Sequence, residues 1–119
     1  FGSEQLHAFP EANLLINVSN DAWFGDSIAP HQHLQITRMR AIETGRPIIR
    51  ATNNGISAFI NHKGKVVKKS GQFNYEILQH SVYPRKGSTL YVALGDTPVL
   101  LLSLFLILYV IRKKLLISK

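Results

Sequence analysis

Apolar and polar positions divide the chain into short blocks, and each block predicts an element. Residues 13–19, NLLINVS, form a near-continuous apolar run between polar residues. Such a run reads as a strand covered on both faces, as in a layered α/β protein. Before it, residues 2–9, GSEQLHAF, read as the end of a helix closed by Pro10. After a polar loop at 20–30, Pro30 opens a helical stretch, PHQHLQITRMRAIETG, with Gly45 as its C-cap. On that helix Leu34, Ala41 and Ile42 fall roughly on one face, while Arg38 and Arg40 point elsewhere. A meander follows. RPIIRAT is strand-like, Asn54-Gly55 is a strong hairpin signal, ISAFIN is the return strand, HKGK is a second tight turn, and VVKKS runs back. YEILQHSVYP alternates and predicts one more strand, and PRKGS at 84–88 is a loop.

The last block differs from all of these. From Pro98 to Ile111 the sequence is PVLLLSLFLILYVI, with Ser103 and Tyr109 its only polar side chains. Thr97 can cap a helix start, and Pro98 suits a first helical position that needs no amide donor. No polar stripe recurs at a 3.6 period, so a surface amphipathic helix is excluded. Fourteen residues rise about 21 Å, short of a hydrocarbon core of about 30 Å. Flanking LYVALG and LLI add length, and Arg112, Lys113 and Lys114 can snorkel to headgroups. A small domain would also struggle to bury a helix that is apolar on every side. The expectation is therefore a transmembrane helix over 98–111, extending to about 90–114, against a buried soluble helix. The positive-inside tendency then places the basic end in the cytoplasm and residues 1 to about 95 outside.

Composition changes this picture in two ways. The net charge is +7 over 119 residues, but RKKLLISK at 112–119 holds four of the fourteen Lys and Arg and no acid. The remainder carries ten basic residues against seven acidic ones, and its Lys63, Lys65, Lys68 and Lys69 sit around a hairpin end without interleaved aromatics. Nucleic acid is not an expected partner. There are no cysteines, which excludes disulfides, thiolate metal sites and a thiol nucleophile within these residues. The chain opens on Phe1 with no signal-peptide pattern, which reads as a piece of a longer protein.

Candidate chemistry is sparse. His31 and His33 stand at i and i+2, which point to different helix faces, and no carboxylate stands at i+4 spacing beside them. Packing histidines are the better reading than a zinc site. His7, His62 and His80 are scattered, and no G-x-S-x-G elbow is present. Arg40 and Glu43 can pair at i,i+3, and Arg46 and Arg50 flank the next strand; an ordinary salt-bridge network accounts for all four. The stretch SNDAWFG is different, because it lies just beyond the carboxyl end of the opening strand, where ligands collect in layered α/β folds. Asn20 and Asp21 suit a turn, and Trp23 and Phe24 offer a large apolar surface beside it. Two readings stand: a loop anchored by one Trp, or the wall of a site.

The blocks LLINVSNDAWFGDSIAPHQHLQITRMRAIETGRPIIRATNNGISAFINHKGKVV, followed by a strand, a loop and an apolar helix ending in Arg and Lys, resemble the C-terminal part of the bacterial apolipoprotein N-acyltransferase family, within the nitrilase superfamily. SNDAWFG, RMRAIETGRP and ATNNGISA in that order carry the resemblance, and it covers nearly the whole chain. It implies a partial αββα sandwich in residues 1–89, a connector at 90–97, a transmembrane helix at 98–111 and a basic cytoplasmic tail at 112–119. The sandwich would face the periplasm from the bacterial inner membrane.

The resemblance also implies a reaction. An acyl chain passes from a phospholipid to the α-amino group of a diacylglyceryl-cysteine apolipoprotein, through a thioester on a Cys assisted by a Glu and a Lys. A thiolate needs a base and positive neighbours, and a Lys can stabilise an oxyanion. The family's Cys-Tyr-Glu motif, its Glu base and its Lys all precede the position matching Phe1. This chain is therefore expected to hold no catalytic residue, and neither Glu43 nor Lys63 fills those roles. What carries over is Asn20, Asp21, Trp23 and Phe24 as substrate-binding residues of the acyl or diacylglyceryl pocket. No cofactor or metal is implied. The opening strand would lack neighbours on one side, so the chain is not expected to fold or act alone. A nitrilase-like amidase and a non-catalytic membrane-tethered module remain as alternatives.

Overall fold

A computed structural model describes residues 11–117, with side chains through Lys114. The expected helix over 2–9 lies outside the described residues. The elements run β1 (Leu15–Ser19), a 3-10 turn (Ala22–Phe24), α1 (Ala29–Thr44), β2 (Ile48–Thr52), β3 (Ala58–Ile60), β4 (Val66–Lys69), α2 (Leu90–Leu94) and α3 (Thr97–Ile117). The strands form one sheet in the order β1-β2-β3-β4. The pair β1–β2 is parallel, with Leu15 opposite Ile48 and Val18 opposite Ala51, and α1 makes the crossover. The β2–β3 and β3–β4 pairs are antiparallel, and the second carries a register shift at Phe59/Ile60. The mixed α/β fold agrees with the expected class.

Sequence chemistry accounts for the boundaries. Pro30 lies in the first turn of α1, and the Ser27 hydroxyl accepts from the Ala29 amide at 3.3 Å. Gly45 ends the helix at φ 63°, a left-handed conformation that L side chains resist, and its N–H reaches Ile42 O. Leu34, Ala41, Ile48, Ile56, Ala58 and Ile60 form the core between α1 and the sheet, with Leu15 and Val66 packed against it. Ile42, expected on the same face as Leu34 and Ala41, is exposed.

Four expectations are corrected. First, β1 is covered on one face only: Leu15 is half-buried, whereas Ile16 and Val18 are 69% and 78% exposed. The covered face carries Leu15, Asn17 and Ser19 and the bare one Ile16 and Val18, and among the described residues only α1 supplies a covering layer to this strand. Second, Asn54-Gly55 is not a two-residue hairpin turn. Neither residue has a positive φ, and the β2–β3 link runs from 53 to 57. Third, YEILQHSVYP forms no strand. It crosses the second face of the sheet without a ladder, held by Lys68 Nζ donating to Gln79 O at 3.2 Å and by His80 against Phe59 at 5.5 Å. The segment passes over the face beside Phe59 and Lys68 rather than along the free edge of β4, so its alternation meets no ladder partner.

The fourth concerns the tail. The helix is present, begins at Thr97, and takes Asp96 rather than Thr97 as its cap, since Asp96 O accepts from Val99 N and Leu100 N. Within the expected connector, residues 90–94 form α2, capped by Thr89 Oγ1 accepting from Val92 N. Among the described residues no helix is long and apolar enough to cross a membrane. The physical reason is length: the apolar run stops at Ile111, and the next three residues are Arg112, Lys113 and Lys114. Neither the expected span at 98–111 nor the orientation inferred from it is shown by the described residues. The helix does not fold back on the sheet either. The Cα radius of gyration is 19.6 Å, against about 13.5 Å for a compact chain of this length.

Candidate functional site

At the carboxyl ends of β1 and β2 the chain folds three loops together. Beyond Ser19 it turns through Asn20 and Asp21 into the 3-10 turn that holds Trp23 and Phe24. Asn20 is exposed, and its Oδ1 accepts from the Ala22 amide at 3.1 Å and from Asn53 Nδ2 at 2.6 Å. In return Asn53 Oδ1 accepts the Asp21 amide at 3.0 Å. This reciprocal pair ties the β1 loop to the β2–β3 link. Gln72 Nε2 donates to Gly25 O at 3.2 Å, and the Phe73 amide donates to Asn54 O at 3.2 Å, which brings the β4 loop alongside. Phe73 takes φ 59°, unusual for a bulky residue. A cavity of about 230 Å³ lies there between Asn53, Asn54, Phe73, Asn74 and Tyr75.

Of the four residues singled out in sequence, Asn20, Trp23 and Phe24 are exposed and Asp21 alone is buried. Trp23 is 84% exposed and Phe24 is partly so. Phe24 leans edge-on against His33, with ring centroids 5.0 Å apart at 87°. Asp21, by contrast, is 1% exposed. Its Oδ1 accepts from Ser19 Oγ at 2.6 Å and from His33 Nδ1–H at 3.1 Å, and its Oδ2 accepts from Arg50 Nη2 at 2.8 Å. Burial alone would raise the Asp21 carboxyl, but the Ser19, His33 and Arg50 donors together outweigh it and hold the group below the usual carboxylate range.

Arg50 explains itself by position. It shares the covered face of β2 with Ile48, and an arginine there must find an anion or acceptors. Besides Asp21, its Nη1 donates to Asn17 Oδ1 and Thr37 Oγ1, while Nε finds no acceptor among the described residues. The network of four charged residues expected in sequence therefore splits. Arg40 pairs with Glu43 as expected, and Arg46 instead donates to the carbonyls of Ala12 and Gly87 at 2.7 and 2.6 Å. Arg50 pairs with Asp21.

Ser19, His33, Asn53 and Gly55 were not legible as site residues. Gly55 matters because a Cβ there would stand 2.2 Å from Asp21 Oδ2. The one available signal was an arginine alternating with isoleucine on an apolar strand. Among the described residues no three His, Cys, Asp or Glu come together as a metal site. A larger cavity, about 340 Å³, lies at the other end of the strands between Pro47, Phe59, His62, His80 and Arg85. There burial, and then Arg85 and Lys63, push the His62 imidazole below its ordinary value.

Residues 5–87 match the carbon-nitrogen hydrolase family. The apolipoprotein N-acyltransferase of Pasteurella multocida is 52% identical over 98 residues, 82% of this chain and 19% of that protein. Those of Haemophilus influenzae and Methylococcus capsulatus are 50% identical over 98 residues and 49% over 100, covering 82% and 84% of the chain. The chain thus spans about a fifth of the length of the curated relatives it matches. It belongs to the carbon-nitrogen hydrolase family, and the members it is similar to over most of its length are apolipoprotein N-acyltransferases.

Proposed function

We propose that this chain supplies one wall of the lipid-handling site of an apolipoprotein N-acyltransferase. The enzyme would move an acyl chain from a phospholipid to the amine of a diacylglyceryl-cysteine apolipoprotein through a thioester. The observation that carries the reading is the exposed Trp23 at the carboxyl end of a parallel strand, in a segment about half identical to proteins of that name. An indole ring suits this place, since its apolar body meets acyl chains and its N–H meets water or headgroups. The chain has no cysteine, so the thiol, with its Glu and Lys, comes from outside these 119 residues.

In this reading α3 lies in lipid rather than in a core. Its side chains from Val99 to Ile111 are exposed on every side, and Arg112, Lys113 and Lys114 follow at the headgroup level. The sheet unit would stand at the periplasmic face of the inner membrane.

A chimera tests the reading: the matched part of the Pasteurella multocida enzyme is replaced by this chain. Given phospholipid vesicles and a diacylglyceryl lipopeptide, the chimera is expected to acylate the peptide amine, and the chain alone is not. Trp23→Ala in the chimera is expected to lower kcat/KM by about tenfold or more, the worth of one well-buried aromatic contact, with thermal melting unchanged. A chimera that melts normally yet only hydrolyses small amides would sink the acyl-transfer reading in favour of an amidase.

A further inference from the structure

Asp21 is the one residue of the turn that substrate cannot reach. Its carboxylate is fully enclosed, and donors from three places already occupy both oxygens: Ser19 at the end of β1, His33 on α1 and Arg50 on β2. Its backbone is held as well, with the amide on Asn53 Oδ1 and the carbonyl receiving the Phe24 amide at 3.2 Å. Gly55 packs so closely that no side-chain atom fits between the two. His33 completes the connection, since its Nδ1–H holds Asp21 while its ring meets Phe24 edge-on. Any displacement of the carboxylate would thus be felt at Phe24 through both backbone and imidazole.

We propose that Asp21, braced by Ser19, His33 and Arg50, is a positioning residue that sets the Trp23–Phe24 turn for acyl-chain binding without touching substrate. The inference rests on the acyl-site reading of that turn and assigns a role to residues beneath it. Without this anchor the turn would sample more angles, and binding would carry the cost of ordering it. The buried ion pair removes that cost in advance.

The test uses the chimera, phospholipid vesicles and the lipopeptide. Ser19→Ala and His33→Gln each weaken the hold on Asp21 while leaving both aromatic rings in place. Each is expected to raise KM for phospholipid by about tenfold, the equivalent of one hydrogen bond to a charged group, with kcat little changed. Ser19→Thr, which keeps the hydroxyl, is expected to restore KM. Ser19→Ala combined with Trp23→Ala should be no worse than Trp23→Ala alone, since one acts through the other. Additive losses, or a lower melting temperature with KM unchanged, would overturn the positioning role and leave the acyl-site reading standing. Full activity of Trp23→Ala would overturn that reading, and this inference with it.

Discussion

The two faces of the sheet are built from similar residues and have opposite fates. Toward α1, Ile48, Ala58 and Ile60 are buried and Ala41 of the helix is wholly enclosed. On the other side Ile16 and Val18 of β1 lie bare, and only the 79–83 segment crosses β3. Side-chain type does not separate them, because isoleucine and valine stand on both. What differs is the presence of a covering layer, and the covered face alone can hold a charge pair such as Asp21–Arg50. The turn after β1 follows the same division, with its Asp21 anchor on the covered side and Trp23 beyond the strand ends.

The largest expected effect is on the covered face. Arg50→Ala leaves the Asp21 carboxylate buried without its cation, at a cost of about 3–5 kcal/mol. Thermal melting of the chimera should show it. Asp21→Leu combined with Arg50→Met should recover much of the loss, since an apolar pair of similar volume suits that face. No recovery would mean that the pair also holds the loops in a way packing cannot replace.

Much of this face was legible before the structure. The β1, α1, β2, β3 and β4 blocks fall within about two residues of their observed bounds, and Gly45 caps α1 as expected. Local signals suffice there, because periodicity and a left-handed glycine act within one element. The Asp21–Arg50 pair was not legible, as its residues stand 29 apart and meet only once β1 and β2 align in parallel. YEILQHSVYP misled for the converse reason: alternation is a local property, and a strand requires a partner. The turn itself was found, although nothing local told that Asp21 would point inward and Trp23 outward.

Gly55→Ala probes the same anchor from the other side. The new methyl would overlap Asp21, so the loop must shift, at about 1–3 kcal/mol for overpacking. Gly87→Ala, at a position with open space but φ 99°, is a control for backbone strain without the clash. A loss of phospholipid affinity only for Gly55→Ala would tie the clash to the turn.

Acid tests the pair without mutation. The Asp21 carboxyl titrates below its unfolded value, so its stabilisation is full above about pH 4 and is lost as pH falls through the folded value. Melting temperature should therefore drop below about pH 4. In Asp21→Asn, which carries no titrating group there, that part of the drop should vanish. An unchanged acid limb would show that other carboxylates govern it.

The smallest expected effect decides what the bare face is for. Val18→Ala removes two methyl groups from a side chain 78% exposed, which within this chain costs no more than about 0.5 kcal/mol. Ile60→Ala, on the covered face, should cost about 2–5 kcal/mol. In the chimera the two should move closer. A second sheet laid over Ile16 and Val18, as an αββα sandwich requires, would make Val18→Ala cost about 1.5 kcal/mol by the area its methyls bury. A cost that stays near zero in the chimera would leave this face open to solvent and remove the second sheet from β1. The same measurement at Ile16, one step earlier on that face, would show how far along β1 the cover extends.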